Sequence, residues 1–413
     1  MQFDEQLLGI NEIIEQHEQK SLPPLPSLRK KEVEILHHQK FALPEDHPLP
    51  KNFDVVACPD CGFTYADTIG STADYDDYYS RFSKYEDQET STGGGGNEKD
   101  LERLEQTADA IAAQMTSRSA KIVDIGCANG GLLGSLKARG FTDLLGIDPS
   151  LACVKNTRQI YGIPALQGWL NALPHESLGA DLVIVSHVFE HVLDLKKAVV
   201  KVAEVLSANG IFYIEVPDAA RYAECLVAPF QDFNIEHINH FSASSLINLL
   251  ASCGFEPLLV DTKSLEAAEG LPYPALFGFF RRSIEGNQRT NWVYEQGFRD
   301  AIDSYIRQST AQIQDIESKI CEVVNDPIIV WGTGQLTLKL LAETSLKDAN
   351  IIAFIDSNPV NQGKILLGKP IRDPSFLKNS STPILIASLL HSANIATQIR
   401  ENLNLSNPII KLH

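Results

Sequence analysis

Lys121-Ile122-Val123-Asp124-Ile125-Gly126-Cys127-Ala128-Asn129-Gly130 is the stretch whose reading decides the fold. Ile122, Val123 and Ile125 form a short apolar run of the kind that becomes a parallel strand buried on both faces. The run passes directly into a glycine turn, and Leu132–Ala138 reads as a helix. In that order, backbone N–H groups and a helix N-terminus meet a ligand at the carboxyl end of a sheet. The dinucleotide fingerprint is G-x-G-x-x-G. Here the loop is Gly126-x-x-x-Gly130, with Asp124 inside the strand. Without the middle glycine the loop need not lie against a pyrophosphate, and a strand-end carboxylate suits a cationic or amine-bearing ligand.

The neighbouring segments supply the rest of such a pocket. Leu144-Leu145-Gly146-Ile147-Asp148 is a second apolar run ending in an acid, 24 positions after Asp124. That is close to the ~20-residue offset at which a second-strand acid meets ribose hydroxyls. Asp181–Ser186 has the composition of a third buried strand and leads through His187 into Val188-Phe189-Glu190-His191-Val192. In order and spacing these segments resemble the motifs of class I S-adenosylmethionine-dependent methyltransferases. S-adenosylmethionine carries an amino group and a sulfonium and no phosphate. The resemblance implies cofactor contacts from Asp124, Gly126, Cys127, Gly130, Asp148, Ser186 and His187. Set against it is a plainer reading, in which Asp124 and Asp148 cap strand ends in another doubly wound protein.

The 413 residues exceed one typical domain and predict two or three. No run approaches the ~18 apolar residues of a membrane span, and Met1–Gln6 lacks the basic and apolar regions of a signal peptide. Seven cysteines without a repeating spacing do not read as a disulfide framework, so a reducing cytoplasm is expected. The net charge of −18 argues against bulk binding to nucleic acid or anionic membranes. A local cluster such as Arg281-Arg282 can still oppose that field, although the pair also reads as an exposed strand end.

The expected class is α/β: a class I methyltransferase Rossmann-like core, a small N-terminal β-rich module and a second, C-terminal Rossmann-like domain. Residues 1–20 read as a polar helix broken by Leu22-Pro23-Pro24-Leu25-Pro26. Short alternating runs over 31–67 predict the β-rich module, and Gly93–Gly96 a loop before the helix Leu101–Met115. Core strands are expected near 121–125, 143–147, 181–185, 211–216 and 256–261, closed by an antiparallel strand over Ala275–Phe280. A helical connector over 290–322 precedes a fresh strand–glycine–helix unit, Ile328–Gly334, and a strand over Ile351–Asp356. The third glycine of that unit is replaced by Thr337, which argues against a dinucleotide. The resulting boundaries are 1–100, 101–288 and 289–413.

Cys58-Pro59-Asp60-Cys61-Gly62 has the C-x-x-C spacing that presents two thiolates to one zinc. A closed site needs four ligands, and no second C-x-x-C follows. His37, His38 and His47 are the upstream candidates to complete it; a knuckle turn without metal is the other reading.

Beyond Ile211–Val216 lies Asn234-Ile235-Glu236-His237-Ile238-Asn239-His240-Phe241-Ser242. The loop leaves the carboxyl end of its strand, on the ligand side of the sheet. A methyl acceptor must shed a proton as it attacks, and imidazole with its ordinary pKa of about 6.5 suits that task. Glu236 is placed to orient the ring or bind an acceptor hydroxyl, and Asn234 or His240 to stabilise an enolate. The alternative is that both histidines simply pack against the following helix. A C-x-x-C-G module, a cofactor core, this loop and a C-terminal Rossmann-like domain together resemble the sugar C-methyltransferases of deoxysugar biosynthesis. That family carries Tyr-His-Glu-His and then Tyr-Phe-Ser; Glu236 and His237 match, while Asn234, Ile235 and His240 depart from the pattern. The resemblance implies a nucleotide-linked keto sugar as acceptor, His237 as base and Tyr78, Tyr79 and Tyr85 in a lid over the cofactor. It also implies sugar-nucleotide contacts from Trp331, Gly332 and Gly334. The competing expectations are an O-methyltransferase on a surface glycan or natural product, and a non-catalytic scaffold that keeps the pocket. The sequence does not fix the oligomeric state.

Overall fold

The computed structural model describes residues 20–21, 33–44, 47–67, 70–81, 98–268, 271–283, 291–292 and 294–413. The expected N-terminal helix, the Pro-rich linker, Tyr85 and Gly93–Gly96 lie outside the described residues.

Seven strands form the central sheet: β1 (Lys121–Ile125), β2 (Asp143–Asp148), β3 (Ala165–Gln167), β4 (Ala180–Ser186), β5 (Leu206–Pro217), β6 (Phe255–Ala268) and β7 (Leu271–Arg282). Their order across the sheet is β3-β2-β1-β4-β5-β7-β6. The first five run parallel, and β7 inserts antiparallel between β5 and β6. The strand order reverses at β1, which pairs in parallel with β2 on one side and β4 on the other. That switch point is where an open parallel sheet leaves a crevice for ligand.

Alternation along each strand builds two apolar layers. Val123, Ile125, Val183 and Val185 pack with Val199, Val202, Leu246 and Leu249 on one face. Ile122, Leu182 and Ile184 pack with Leu104, Ile111, Leu132 and Leu136 on the other. Helices over Leu195–Val205 and Ala243–Ser252 cover the first face, and helices over Glu98–Gln114 and Gly131–Ala138 the second. The helix start at Ala243 is fixed by a capping box, in which Ser242 and Ser245 each bond the other's main-chain N–H.

The expected N-terminal module is a four-stranded antiparallel sheet, but one strand comes from elsewhere. Glu34–Lys40, Asn52–Ala57 and Thr64–Asp67 are joined at the edge by Asn239–His240. The loop carrying Asn234–His237 is therefore tied into this sheet. A six-stranded C-terminal sheet, parallel except for the hairpin 365–366/369–372, follows the long helix Gln296–Val323. Among the described residues no helix is long and apolar enough to cross a membrane.

Candidate active site

A cavity of about 740 Å³ opens at the carboxyl ends of β1, β2 and β4. That size lies within the ~300–1,000 Å³ of small-molecule sites. Asp124, Gly126, Cys127, Asp148, Ser186 and His187 line it; Asn234 and His237 line it from the loop after β5.

The glycine loop is shaped by backbone sterics. Gly126 has φ +81°, and a Cβ there would sit 2.5 Å from Val188 Cγ2. Gly130, expected at the ligand, instead serves the fold: it stands at φ +82° before the helix and against Thr157, outside the cavity wall. Cys127 contributes to the wall, while its thiol lies toward Thr157 and burial raises its pKa.

The two acids differ in their surroundings. Asp148 Oδ2 accepts from Ala128 N at 2.9 Å and Oδ1 from Ser150 N at 2.9 Å, so it braces the glycine loop as well as facing the cavity. Asp124 is buried and receives no hydrogen bond from the described residues. Burial, with the charge of Asp148 added, pushes its carboxyl up to about 7. A buried carboxyl in that state lacks a cationic partner.

In the cavity wall, His187 lies between two acids, Nδ1 at 3.3 Å from Glu190 and Nε2 at 3.2 Å from Glu215. Burial alone would lower its pKa, but hydrogen bonds and charge from Glu190 and Glu215 outweigh it and the pKa rises. Glu215 also pairs with Lys263 at 2.7 Å and accepts from Tyr213. Burial opposes its ionisation, yet Lys263 and His187 hold its carboxyl well below the usual range.

The loop is fastened on two sides. Ile238 N donates to Glu190 O at 2.6 Å and Ala66 N to Ile238 O at 2.7 Å. The Asn239 amide donates to the carbonyls of Phe189 and Val192. Asn234 Oδ1 accepts from the N–H groups of Glu236 and His237, fixing the turn between them. His237 and His191 meet edge to face, ring centroids 5.1 Å apart.

Several expected site residues lie elsewhere. Glu236 is buried away from the wall, its carboxylate accepting from the Tyr78 hydroxyl at 2.9 Å, so neither residue faces the cavity. Tyr75, Asp76 and Tyr79 take that face of the helix Thr72–Arg81. His240 is fully buried, its ring 4.7 Å from Phe233, and burial lowers its pKa to about 3; it does not reach the cavity. Trp331 is spent inside the C-terminal sheet, and Gly332 and Gly334 do not line the cavity; Leu390 does. Arg281 pairs with Glu256 at the far end of β7, the exposed strand end of the plainer reading.

Cys58 and Cys61 share a hydrogen bond, which lowers the Cys58 pKa to about 6 and raises that of Cys61. The upstream histidines are engaged elsewhere: His37 stacks on Phe230, His38 bonds Asp54 and His47 leans on Tyr78. Among the described residues no group of three His, Cys, Asp or Glu includes either thiol, so the expected His completion of a zinc site is not formed.

Sequence reasoning assigned no role to Glu190, His191, Glu215 or Lys263. An acid inside the apolar run Ile211–Val216 was the available sign for Glu215.

Residues 97–260 match the family model described as a methyltransferase domain, and 324–410 one described as C2185-like, N-terminal. A relative described as C-methyltransferase NovU, from Streptomyces niveus, is 27% identical over 264 residues, 60% of this chain. The match spans 61% of that relative's length. Similar solved structures include an S-adenosylmethionine-dependent methyltransferase from Mesorhizobium loti, 21% identical, covering 43% of this chain and all of that one, with a TM-score of 0.36. The PH0226 protein from Pyrococcus horikoshii OT3 is 19% identical, covering 50% of this chain and 99% of that one, with a TM-score of 0.37.

Proposed function

We propose that this chain, whose residues 97–260 form a class I S-adenosylmethionine-dependent methyltransferase domain, methylates a nucleotide-linked keto sugar or a related glycan precursor. The observation that carries the reading is Asp124: a buried, cavity-lining carboxyl that no described residue hydrogen-bonds, beside a second strand-end acid. That pairing fits a ligand with an ammonium group and a ribose. Asp124 would hold the amine, Asp148 the ribose hydroxyls, and the crowded backbone at Gly126 the space between them. When bound, S-adenosylmethionine supplies an electrophilic methyl carbon on sulfur.

The chain's own work is then mainly positional. Holding two partners in line replaces a bimolecular encounter, which is worth as much as ~7–11 kcal/mol of barrier. His237 takes the proton that the acceptor loses as its new bond to the methyl group forms. Asn234, whose side chain shapes the His237 turn and which lines the cavity, would supply a polar group to an acceptor oxygen. A C-methyltransferase relative supports a carbon acceptor beside a carbonyl. Such a carbon acidifies through its enolate, so exchange of its hydrogen with solvent precedes methyl transfer.

The deciding experiment incubates the protein with nucleotide-linked keto sugars in deuterium oxide. S-adenosylhomocysteine release, with deuterium entering the α-carbon without cofactor, is the expected result. Binding of S-adenosylhomocysteine with neither release nor exchange on any such sugar would move the acceptor to another class.

A further inference from the structure

The acceptor side of the cavity holds a cluster that proton transfer alone does not explain. Glu190, His191 and His237 bring donor atoms within 4.8 Å of one another. Glu190 belongs to the short turn Phe189–His191 after β4, and His237 to the loop after β5, so separate segments converge. All three line the cavity.

Glu190 is 1% exposed, and its Oε2 has no hydrogen-bond partner among the described residues. Leaving a buried charged acceptor unmet is costly. The other oxygen, Oε1, lies 3.8 Å from His191 Nε2. His191 Nδ1 lies 2.9 Å from the main-chain oxygen of Glu236. A carbonyl only accepts, so Nδ1 carries a proton, and in the neutral ring Nε2 keeps its lone pair on the Glu190 side. A ring anchored through one nitrogen to a carbonyl, with the other free to donate electrons, is the usual arrangement of a metal-bound histidine.

We propose that Glu190, His191 and His237 bind one divalent transition-metal ion, Mn²⁺ or a neighbour in the first row. Two imidazoles and one carboxylate suit such ions. Bonds of roughly 2.0–2.2 Å place neighbouring donors roughly 3–3.5 Å apart, so the three groups, now within 4.8 Å of one another, would draw together on the ion. The remaining coordination positions face the cavity, where a carbonyl or hydroxyl oxygen of the acceptor would fill them and be polarised. That consequence rests on the methyl-transfer reading; ion binding does not. One ring nitrogen cannot hold the ion and accept a proton together. The loaded site would polarise the acceptor while withholding His237 as base, so the proton leaving the acceptor would pass to solvent, whereas in the ion-free site His237 would take it.

The test strips the full chain with EDTA, in a Cys58→Ser, Cys61→Ser background that removes the competing thiols, and titrates Mn²⁺ by paramagnetic resonance and calorimetry. One ion per chain is expected, with affinity falling at least ~10-fold in His191→Ala and in Glu190→Gln. Unchanged S-adenosylhomocysteine affinity in His191→Ala shows that the cavity is intact, so that variant carries the test should Glu190→Gln not fold. Absence of a bound ion in the parent, or binding undiminished in His191→Ala, overturns the site. Ion binding without any binding of S-adenosylhomocysteine would leave the site standing and remove the methyl-transfer reading.

Discussion

Lys339 Nζ donates to Gln39 Oε1 at 2.7 Å, joining the first helix of the C-terminal domain to the first long strand of the N-terminal sheet. The Gln39 amide passes the contact on, donating to Phe233 O at 2.7 Å, one residue before Asn234. Lys339 also pairs with Glu343 at 2.7 Å and stands 4.3 Å over the Phe230 ring. A buried cation from the distant domain thus holds the entry to the His237 loop.

Lys339→Met should therefore weaken both fold and loop. It keeps the stem but removes the ammonium from Gln39 Oε1, which retains His37 Nε2 at 2.9 Å, and from the Glu343 carboxylate, a loss of about 1–3 kcal/mol. The urea midpoint should fall at unchanged m-value. Turnover should drop while S-adenosylmethionine affinity holds, since the lysine touches neither acid. An unchanged midpoint would mean that water replaces the ammonium at no cost.

Asp148→Ala should weaken S-adenosylmethionine binding at least ~10-fold by calorimetry, the loss of one charged hydrogen bond of ~1.5–3 kcal/mol. The variant also frees Ala128 N and Ser150 N, which Asp148 now satisfies. Asp148→Asn retains an acceptor for one of them and should fall between. Equal affinity in all three proteins would take Asp148 out of the binding site.

The Asp124 carboxyl, raised to about 7, fixes a pH dependence. Its unfolded value is near 3.9. A carboxyl raised on folding stabilises the fold in its protonated form, fully below about pH 4, and that contribution fades as pH climbs through 7. The carboxylate is the form that pairs with an ammonium. Binding of S-adenosylmethionine should therefore release close to one proton at pH 6, and the release from Asp124 should fade as pH rises through 7. Calorimetry in two buffers of different ionisation enthalpy measures this, and Asp124→Asn should abolish the difference. Proton-neutral binding at pH 6 would contradict the assignment.

What the sequence disclosed and what it hid follow from the range of the interactions. Asp124, Gly126 and Asp148 were legible because strand, turn and acid are set within a few residues, and the sheet then brings adjoining strand ends together. The fate of His240 was not, because it depends on pairing with Thr64 across the N-terminal sheet, which turns the ring into the Phe233 and Tyr222 cluster. Tyr78 and Tyr79 differ by one residue, and so by about 100° around their helix; that turn sends one hydroxyl to Glu236 and leaves the other ring at the cavity. The resemblance implied a sugar-nucleotide contact for Trp331, but its indole packs with Ile355, Leu377, Ile386 and Ile399 inside the C-terminal domain, contacts that only the folded sheet brings together.

His237→Ala is the sharpest test of the chemistry. Loss of a general base costs at least ~100-fold in turnover. The ring lies in the cavity wall beside His191, whereas Asp124 and Asp148 mark the carboxyl ends of β1 and β2, so S-adenosylmethionine affinity should stay within about twofold. Assays run in EDTA separate this role from metal binding at the same ring. Glu236→Gln, which alters a buried carboxylate bonded to Tyr78 and off the cavity wall, should cost far less than His237→Ala. Near-parental turnover in His237→Ala under EDTA would assign the proton to another group and leave the loop a purely positional part.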